Sequence, residues 1–207
     1  MKISIICSSH RIASQSSKVS SFLENILKNN SVETYLLELA KTPLAFAYAD
    51  GYADSNYSKK TEELLNQILP QLDSSQGFVF VVPEWSGMAT PMLKNLILHL
   101  NHELAHKPIL LVSISASRGG AFPIAELRLS GYKNALYNII PEHLIIRNVN
   151  DVLNSSEINE QKYGRADTFI KKRINFALDL LLKYSRALEI VREDGLPLFE
   201  LSENGMS

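Results

Sequence analysis

Short, nearly continuous apolar runs alternate along this chain with longer stretches that carry apolar residues on one side only. Ile3-Ser4-Ile5-Ile6-Cys7 predicts a first buried strand, followed by a helix over about Ser16 to Asn30 and a second strand at Glu33 to Leu37. The polar stretch AYADGYADSNYS reads as a long surface loop, with a helix from about Lys59 to Leu72 after it. Gly77 to Val82 is a continuous apolar run, the pattern of a strand covered on both faces, and Ile109 to Ile114 predicts another buried strand. Between them Thr90 fits an N-cap and Pro91 a first helical turn. The expected helix continues through LKNLILHLNHELAH and stops near Lys107-Pro108. A further helix is expected from about Phe122 to Leu136, a fifth strand at His143 to Ile146, and a long helix from about Tyr163 to Val191. Ile170, Ile174, Ala177, Leu178, Leu181 and Leu188 form the buried stripe of that last helix.

Strands that alternate with helices in this way predict a doubly wound, three-layer α/β fold. Residues 1–207 are read as one domain, with a C-terminal extension after about residue 192. Leu196, Leu198, Phe199 and Leu201 give that extension an apolar side suited to the domain or to a partner subunit. Ligands of such folds bind outside the carboxyl ends of the strands, so the loops after strands one, three and four are where chemistry is expected.

Composition narrows the classes without naming one. A net charge of −1 gives no footprint for nucleic acid or an anionic membrane, and 45% apolar content supports a sizeable core. Cys7 is the single cysteine, which suits a reducing compartment. MKISIICSSHR lacks a signal-peptide core, and no stretch approaches the roughly 20 apolar residues of a membrane span, so a cytoplasmic location is expected.

The loop after strand one groups Ser8, Ser9, Ser14, Ser16 and Ser17 around Arg11 and Lys18, where a helix begins. Hydroxyls, a guanidinium and free N–H groups at a helix N-terminus suit a phosphate, although a polar loop with a serine N-cap explains the same residues. Neither G-x-G-x-x-G nor G-x-x-x-x-G-K-[ST] is present. Strand three ends in Pro83-Glu84-Trp85-Ser86-Gly87, and strand four in Ser115-Ala116-Ser117-Arg118-Gly119-Gly120. Both read as turn and helix-entry segments, or as backbone that comes close to a flat, polar-edged ligand.

Residues 102–106, HELAH, spell the H-E-x-x-H pattern of zinc hydrolases. The extended form fails because Ile109 and Val112 stand where a glycine and a third histidine would be. Glu126 is the downstream carboxylate that could serve instead, yet it lies beyond a complete strand. His99, His102 and His106 share one face by helical spacing, and the simpler reading is a set of solvated histidines at the end of a helix.

Together the three loops resemble the NADPH-dependent FMN reductase family of flavodoxin-like proteins, which includes quinone, azo-dye and chromate reductases. The family's G-S-x-R-x-x-S-x-N stands here as Ser8-Ser9-His10-Arg11-Ile12-Ala13-Ser14-Gln15-Ser16. Its P-E-Y-N-G-S…P…L-K-N is matched by PEWSGMATPMLKN, and its Gly-rich loop with a following L-R by SASRGGAFPIAELR. Ser8, Ser16, Trp85 and Ser86 depart from the usual glycine, asparagine, tyrosine and asparagine.

The resemblance implies a five-stranded parallel sheet in the order 2-1-3-4-5 and a bound FMN. Ser9, Arg11, Ser14, Ser16 and Ser17 would hold its phosphate. Pro83, Glu84, Trp85, Ser86 and Gly87 would line one edge of the ring, and Ser115, Ser117, Arg118, Gly119 and Gly120 the other. The flavin would carry the chemistry, passing a hydride from NAD(P)H to a small-molecule acceptor, with no catalytic side chain and no metal. A homodimer or homotetramer is implied as well. A flavin-binding electron carrier or redox sensor with little NAD(P)H turnover is the second reading. A phosphoacceptor signalling domain would need acidic residues where Cys7-Ser8-Ser9 and Pro83-Glu84 stand.

Overall fold

A computed structural model of the chain describes residues 1–47, 55–100 and 102–193. Five strands, β1 (Lys2–Cys7), β2 (Glu33–Glu38), β3 (Gly77–Pro83), β4 (Pro108–Ile114) and β5 (Asn138–Ile146), form one sheet in the order β2-β1-β3-β4-β5. Every neighbouring pair is parallel, with Ile5 opposite Val79, Val79 opposite Leu110 and Val112 opposite Leu144.

The three central strands are buried along their whole length because successive side chains feed opposite faces. Ile3, Ile5, Val79, Val81, Leu110 and Val112 pack against α1 (Gln15–Asn29) and α6 (Glu160–Glu193). Ile6, Phe78, Phe80, Val82, Ile109 and Leu111 meet α2 (Ser55–Asp73), α3 (Pro91–His99) and α4 (Ala121–Leu129). A short helix, α5 (Tyr132–Ala135), precedes β5. This is the expected flavodoxin-like three-layer arrangement. Most of AYADGYADSNYS and the tail from residue 194 lie outside the described residues, and α2 already begins at Ser55.

Two expected helices differ: the one expected over about Phe122 to Leu136 is broken at Ser130-Gly131, with φ 86° at Gly131, into α4 and α5, and the other is α3. α3 ends at His99, and Leu100 leaves the helix in an extended conformation. The segment HELAH is a turn rather than a helix. Leu100 and Leu104 are both buried in the core of that face, and the chain has left α3 before it reaches them and enters β4 at Pro108. Pro108 also disfavours a helical Lys107. His106 has φ 55°, its N–H donates to Leu136 O at 2.9 Å, and its carbonyl accepts from Arg192 at 3.1 Å. His99, His102 and His106 therefore share no helical face. Glu126 is committed elsewhere: it accepts from Ala89 N at 2.6 Å and pairs with Lys94. Among the described residues no group of three His, Cys, Asp or Glu side chains could hold a metal ion.

The connection from β5 to α6 is pinned by charge. Lys18 of α1 donates to the carbonyls of Val149 (2.7 Å) and Val152 (2.9 Å) and to Asn154 Oδ1 (2.9 Å). Asp167 Oδ1 accepts from Leu153 N at 2.7 Å, and Lys171 Nζ donates to Glu157 O at 2.5 Å. Lys171 Nζ and Asp167 Oδ2 approach to 2.5 Å with side chains only 2% and 3% exposed, a charge contact whose angle leaves Oδ2 without a directed hydrogen bond. Gly164 (φ 85°, ψ 166°) breaks α6 just before this pair.

Removing one charge of a buried pair strands the other. Asp167→Asn keeps an acceptor for Leu153 but leaves Lys171 unpaired, and should cost about 3 kcal/mol in urea unfolding. The double variant Asp167→Asn/Lys171→Met should recover part of that loss.

Candidate active site

The carboxyl ends of β1, β3 and β4 bring three loops together at one edge of the sheet, and each is held by a different interaction. After β1, Ser8 takes the place of a loop glycine and is fully buried. Its hydroxyl donates to Val81 O (3.1 Å) and accepts from Thr90 Oγ1 (2.8 Å), which ties the loop to β3 and to the entry of α3. Ser9 Oγ accepts from Arg11 N at 3.2 Å.

Ser14 is the N-cap of α1, its hydroxyl accepting from Ser17 N at 3.0 Å. The N–H groups of Gln15 and Ser16 come earlier in the turn, where a helix offers no internal acceptor. Gln15 Oε1 is buried, and among the described residues nothing bonds to it. Two of the expected phosphate residues serve differently. Ser17 gives its hydroxyl proton to Glu38 at the end of β2, so that side chain has no donor left for an anion. Ser16 has a buried side chain, so that of its polar groups the N–H in the first turn of α1 is the one left open. Burial pushes the Glu38 carboxyl upward, yet its bonds from Lys41 and Ser17 hold it below the usual carboxylate range.

After β3 the chain reverses in a tight turn. Trp85 N donates to Met88 O (3.1 Å) and Met88 N to Trp85 O (2.9 Å), with φ 50° at Ser86 and φ 71° at Gly87. Two positive φ angles define a type I′ turn, the geometry that favours Asn-Gly. Serine lacks asparagine's tolerance for it. Trp85 stacks on His10, ring centroids 4.6 Å apart and planes 11° off parallel, and the Arg11 guanidinium carbon lies 5.4 Å from the same ring. One tryptophan face is thus spent on the neighbouring loop. Nothing in the residue pattern points to His10, because stacking between loops leaves no periodic trace. Pro83 closes β3 within the sheet, buried and opposite Ile114.

Glu84 also has a second role. Its N–H donates to Ile114 O (2.9 Å), and its carboxylate accepts from Gly120 N (2.6 Å) and Phe122 N (3.4 Å). It therefore caps the first turn of α4 from another loop, where a negative charge is favourable. Gly120 is the N-cap at φ 104°, and a Cβ there would come within 2.5 Å of Ile145 Cγ2.

The loop after β4 is strapped along one side by residues 147–149, which the sequence reading missed. Val149 N donates to Ser115 O (3.2 Å) and Asn148 N to Ser117 O (3.0 Å). Arg147 Nε donates to both Arg118 O (2.7 Å) and Gly119 O (3.1 Å). Ser115 N is taken by Ile146 O (2.9 Å), Ser117 N by Ser115 Oγ (3.2 Å) and Gly120 N by Glu84. Among the described residues no acceptor takes the N–H of Ala116, Arg118 or Gly119. Of the L-R pair that follows, Leu127 is core, and Arg128 donates to the carbonyls of Ile140, Pro141 and Glu142 on β5 (2.9, 3.2 and 3.4 Å). It secures the edge strand rather than the site. Burial pushes the Cys7 thiol up from its ordinary value, in keeping with a packing role.

Open N–H groups at a helix N-terminus and along a strapped loop, joined by hydroxyls and a guanidinium, are donors without acceptors. The parallel sheet in the order β2-β1-β3-β4-β5, covered by helices on both faces, makes the fold a flavodoxin-like one. Comparison with known proteins narrows this further. The family model for NADPH-dependent FMN reductase matches residues 1–151, and the chain belongs to that family. An NAD(P)H-dependent FMN reductase of Schizosaccharomyces pombe is 32% identical over 84 residues. That stretch covers 41% of this chain and 42% of the relative's length. A structure of RosB bound to 8-demethyl-8-formylriboflavin-5′-phosphate is similar in fold, with TM-score 0.66 and 16% identity, covering 99% of this chain and 91% of that one. The FerB flavoenzyme NAD(P)H:(acceptor) oxidoreductase of Paracoccus denitrificans gives TM-score 0.60 at 17% identity, covering 91% and 97% of the two chains.

Ser86→Asn should relieve the turn and stabilise the protein by about 0.5–1 kcal/mol in chemical denaturation.

Proposed function

We propose that this protein is an FMN-dependent NAD(P)H oxidoreductase that hands a hydride from NAD(P)H to a quinone, azo compound, metal oxyanion or free flavin. The observation that carries the reading is the set of unsatisfied N–H donors at the carboxyl edge of the sheet, in a chain of the FMN reductase family. The names of its relatives agree with it: the yeast protein is called an NAD(P)H-dependent FMN reductase, and a Bacillus anthracis azoreductase shares the fold at TM-score 0.51.

When bound, FMN supplies two-electron hydride acceptance and donation. The protein's part is to bind, orient and polarise. The Gln15 and Ser16 N–H groups, the Ser9 and Ser14 hydroxyls and the Arg11 guanidinium would hold the phosphate. The 83–87 segment would border the ring on one side. On the other, the open N–H groups of Ala116, Arg118 and Gly119 would favour negative charge on it. Exposed Ile12, Trp85, Met88 and Phe122 on these loops and on α4 give the mouth an apolar rim, which supports a flat acceptor or a second subunit beside the site. Among the described residues no helix is long and apolar enough to cross a membrane. A single, buried cysteine suits a reducing compartment, in keeping with a cytoplasmic location.

The protein should take up FMN, with its visible absorbance, and oxidise NADPH when given a quinone or dye. FMN uptake without NAD(P)H oxidation would move the assignment to an electron carrier or sensor. No uptake in a titration would sink the flavin reading altogether. Arg11→Ala should weaken FMN by about 2 kcal/mol, as expected for a lost charge-assisted contact. It should leave riboflavin, which lacks the phosphate, nearly unchanged.

A further inference from the structure

Arg147 lies outside the three loops the sequence singles out, at the point where β5 ends. Its Nε is shared between the carbonyls of two consecutive peptides, Arg118 O at 2.7 Å and Gly119 O at 3.1 Å. A trans peptide sends its N–H opposite to its C=O, so both amides point away from the guanidinium. The second of them shows where that direction leads: Gly120 N–H ends on Glu84 Oε2 at 2.6 Å, on the loop after β3. The first, the N–H of Gly119, leaves Arg147 toward the same side, and among the described residues it meets no acceptor.

We propose that Arg147 is a positioning residue that sets the reduction potential of the bound flavin. This rests on the flavin reading above. A cation on the carbonyl polarises the whole peptide unit, so the Gly119 N–H is a stronger donor than an ordinary amide. It is also held in direction before any ligand arrives, and such a fixed donor acts on charge as it develops. A neutral oxidised ring gains little from it. A reduced ring carrying negative charge gains more, and that difference is a shift in potential. The neighbouring peptide cannot play this part, because Glu84 already occupies its N–H. Arg147 itself need not touch the ligand.

The test is a spectroelectrochemical titration of FMN-loaded wild type, Arg147→Met and Arg147→Lys, with FMN affinity measured alongside. Arg147→Met should bind reduced FMN about tenfold more weakly while oxidised FMN changes by less than about twofold. That ratio corresponds to a midpoint about 30 mV more negative for a two-electron couple. Arg147→Lys, which keeps the charge and a donor, should recover part of the shift. A wild-type potential in Arg147→Met, or equal weakening of both flavin forms, overturns the proposal, since a merely structural role predicts one of those results. Should Arg147→Met fail to fold, Arg147→Gln takes its place: a more negative potential supports the proposal and an unshifted one overturns it. Wild-type protein that takes up no FMN overturns the flavin reading and this inference with it, whereas normal uptake with an unshifted variant overturns this inference alone.

Discussion

The hydrogen bonds from residues 147–149 to the carbonyls of Ser115, Ser117, Arg118 and Gly119 govern what this edge of the protein can do. A peptide held by its oxygen has its N–H aimed to the opposite side, so one row of bonds decides the direction of a whole loop. The loop after β4 thereby becomes a ledge of donors rather than a flexible turn. Glu84 closes the far end by taking the Gly120 N–H and joins the ledge to the loop after β3.

That row of bonds depends on the packing beneath it. The segment 147–149 stays in place because Lys18 reaches from α1 to Val149 and Val152, and because Asp167 and Lys171 anchor the connection from within α6. α1 and α6 are held in turn by the apolar face of β1, β3 and β4. The same helix α1 presents its N-terminus beside the ledge, so the elements proposed to hold a phosphate and to border a ring share one support. On the opposite face α3 and α4 carry the loops of Trp85 and Gly120. A sheet covered on both sides leaves its strand ends as the place where backbone groups stay unpaired, which is why the candidate site is built largely from main chain.

Much of this was legible in the sequence. Val79, Val81, Leu110 and Val112 sit in apolar runs that suit strands covered on both faces, and the alternation with helices placed the expected functional loops at one edge. The family resemblance then named the ligand. HELAH misled because Leu96, Leu100 and Leu104 keep a helical spacing although the chain has already turned, and the need to enter β4 at Pro108 overrides that pattern. Arg147, Glu84 and His10 were illegible in another way. Their work is done across loops distant in sequence, and a single long-range bond or stack leaves no period to read. Ser17 looked like a phosphate donor until β2 brought Glu38 to it.

Amide hydrogen exchange measured with and without FMN reads the donors of this edge one by one. Exchange reports main-chain N–H groups, the groups left without acceptors at the strand ends. Protection should rise on FMN addition at residues 15–16 and 116–119 and stay unchanged at 102–106. Protection confined to other segments, or FMN bound with 116–119 unaffected, would show that these donors do not hold the flavin.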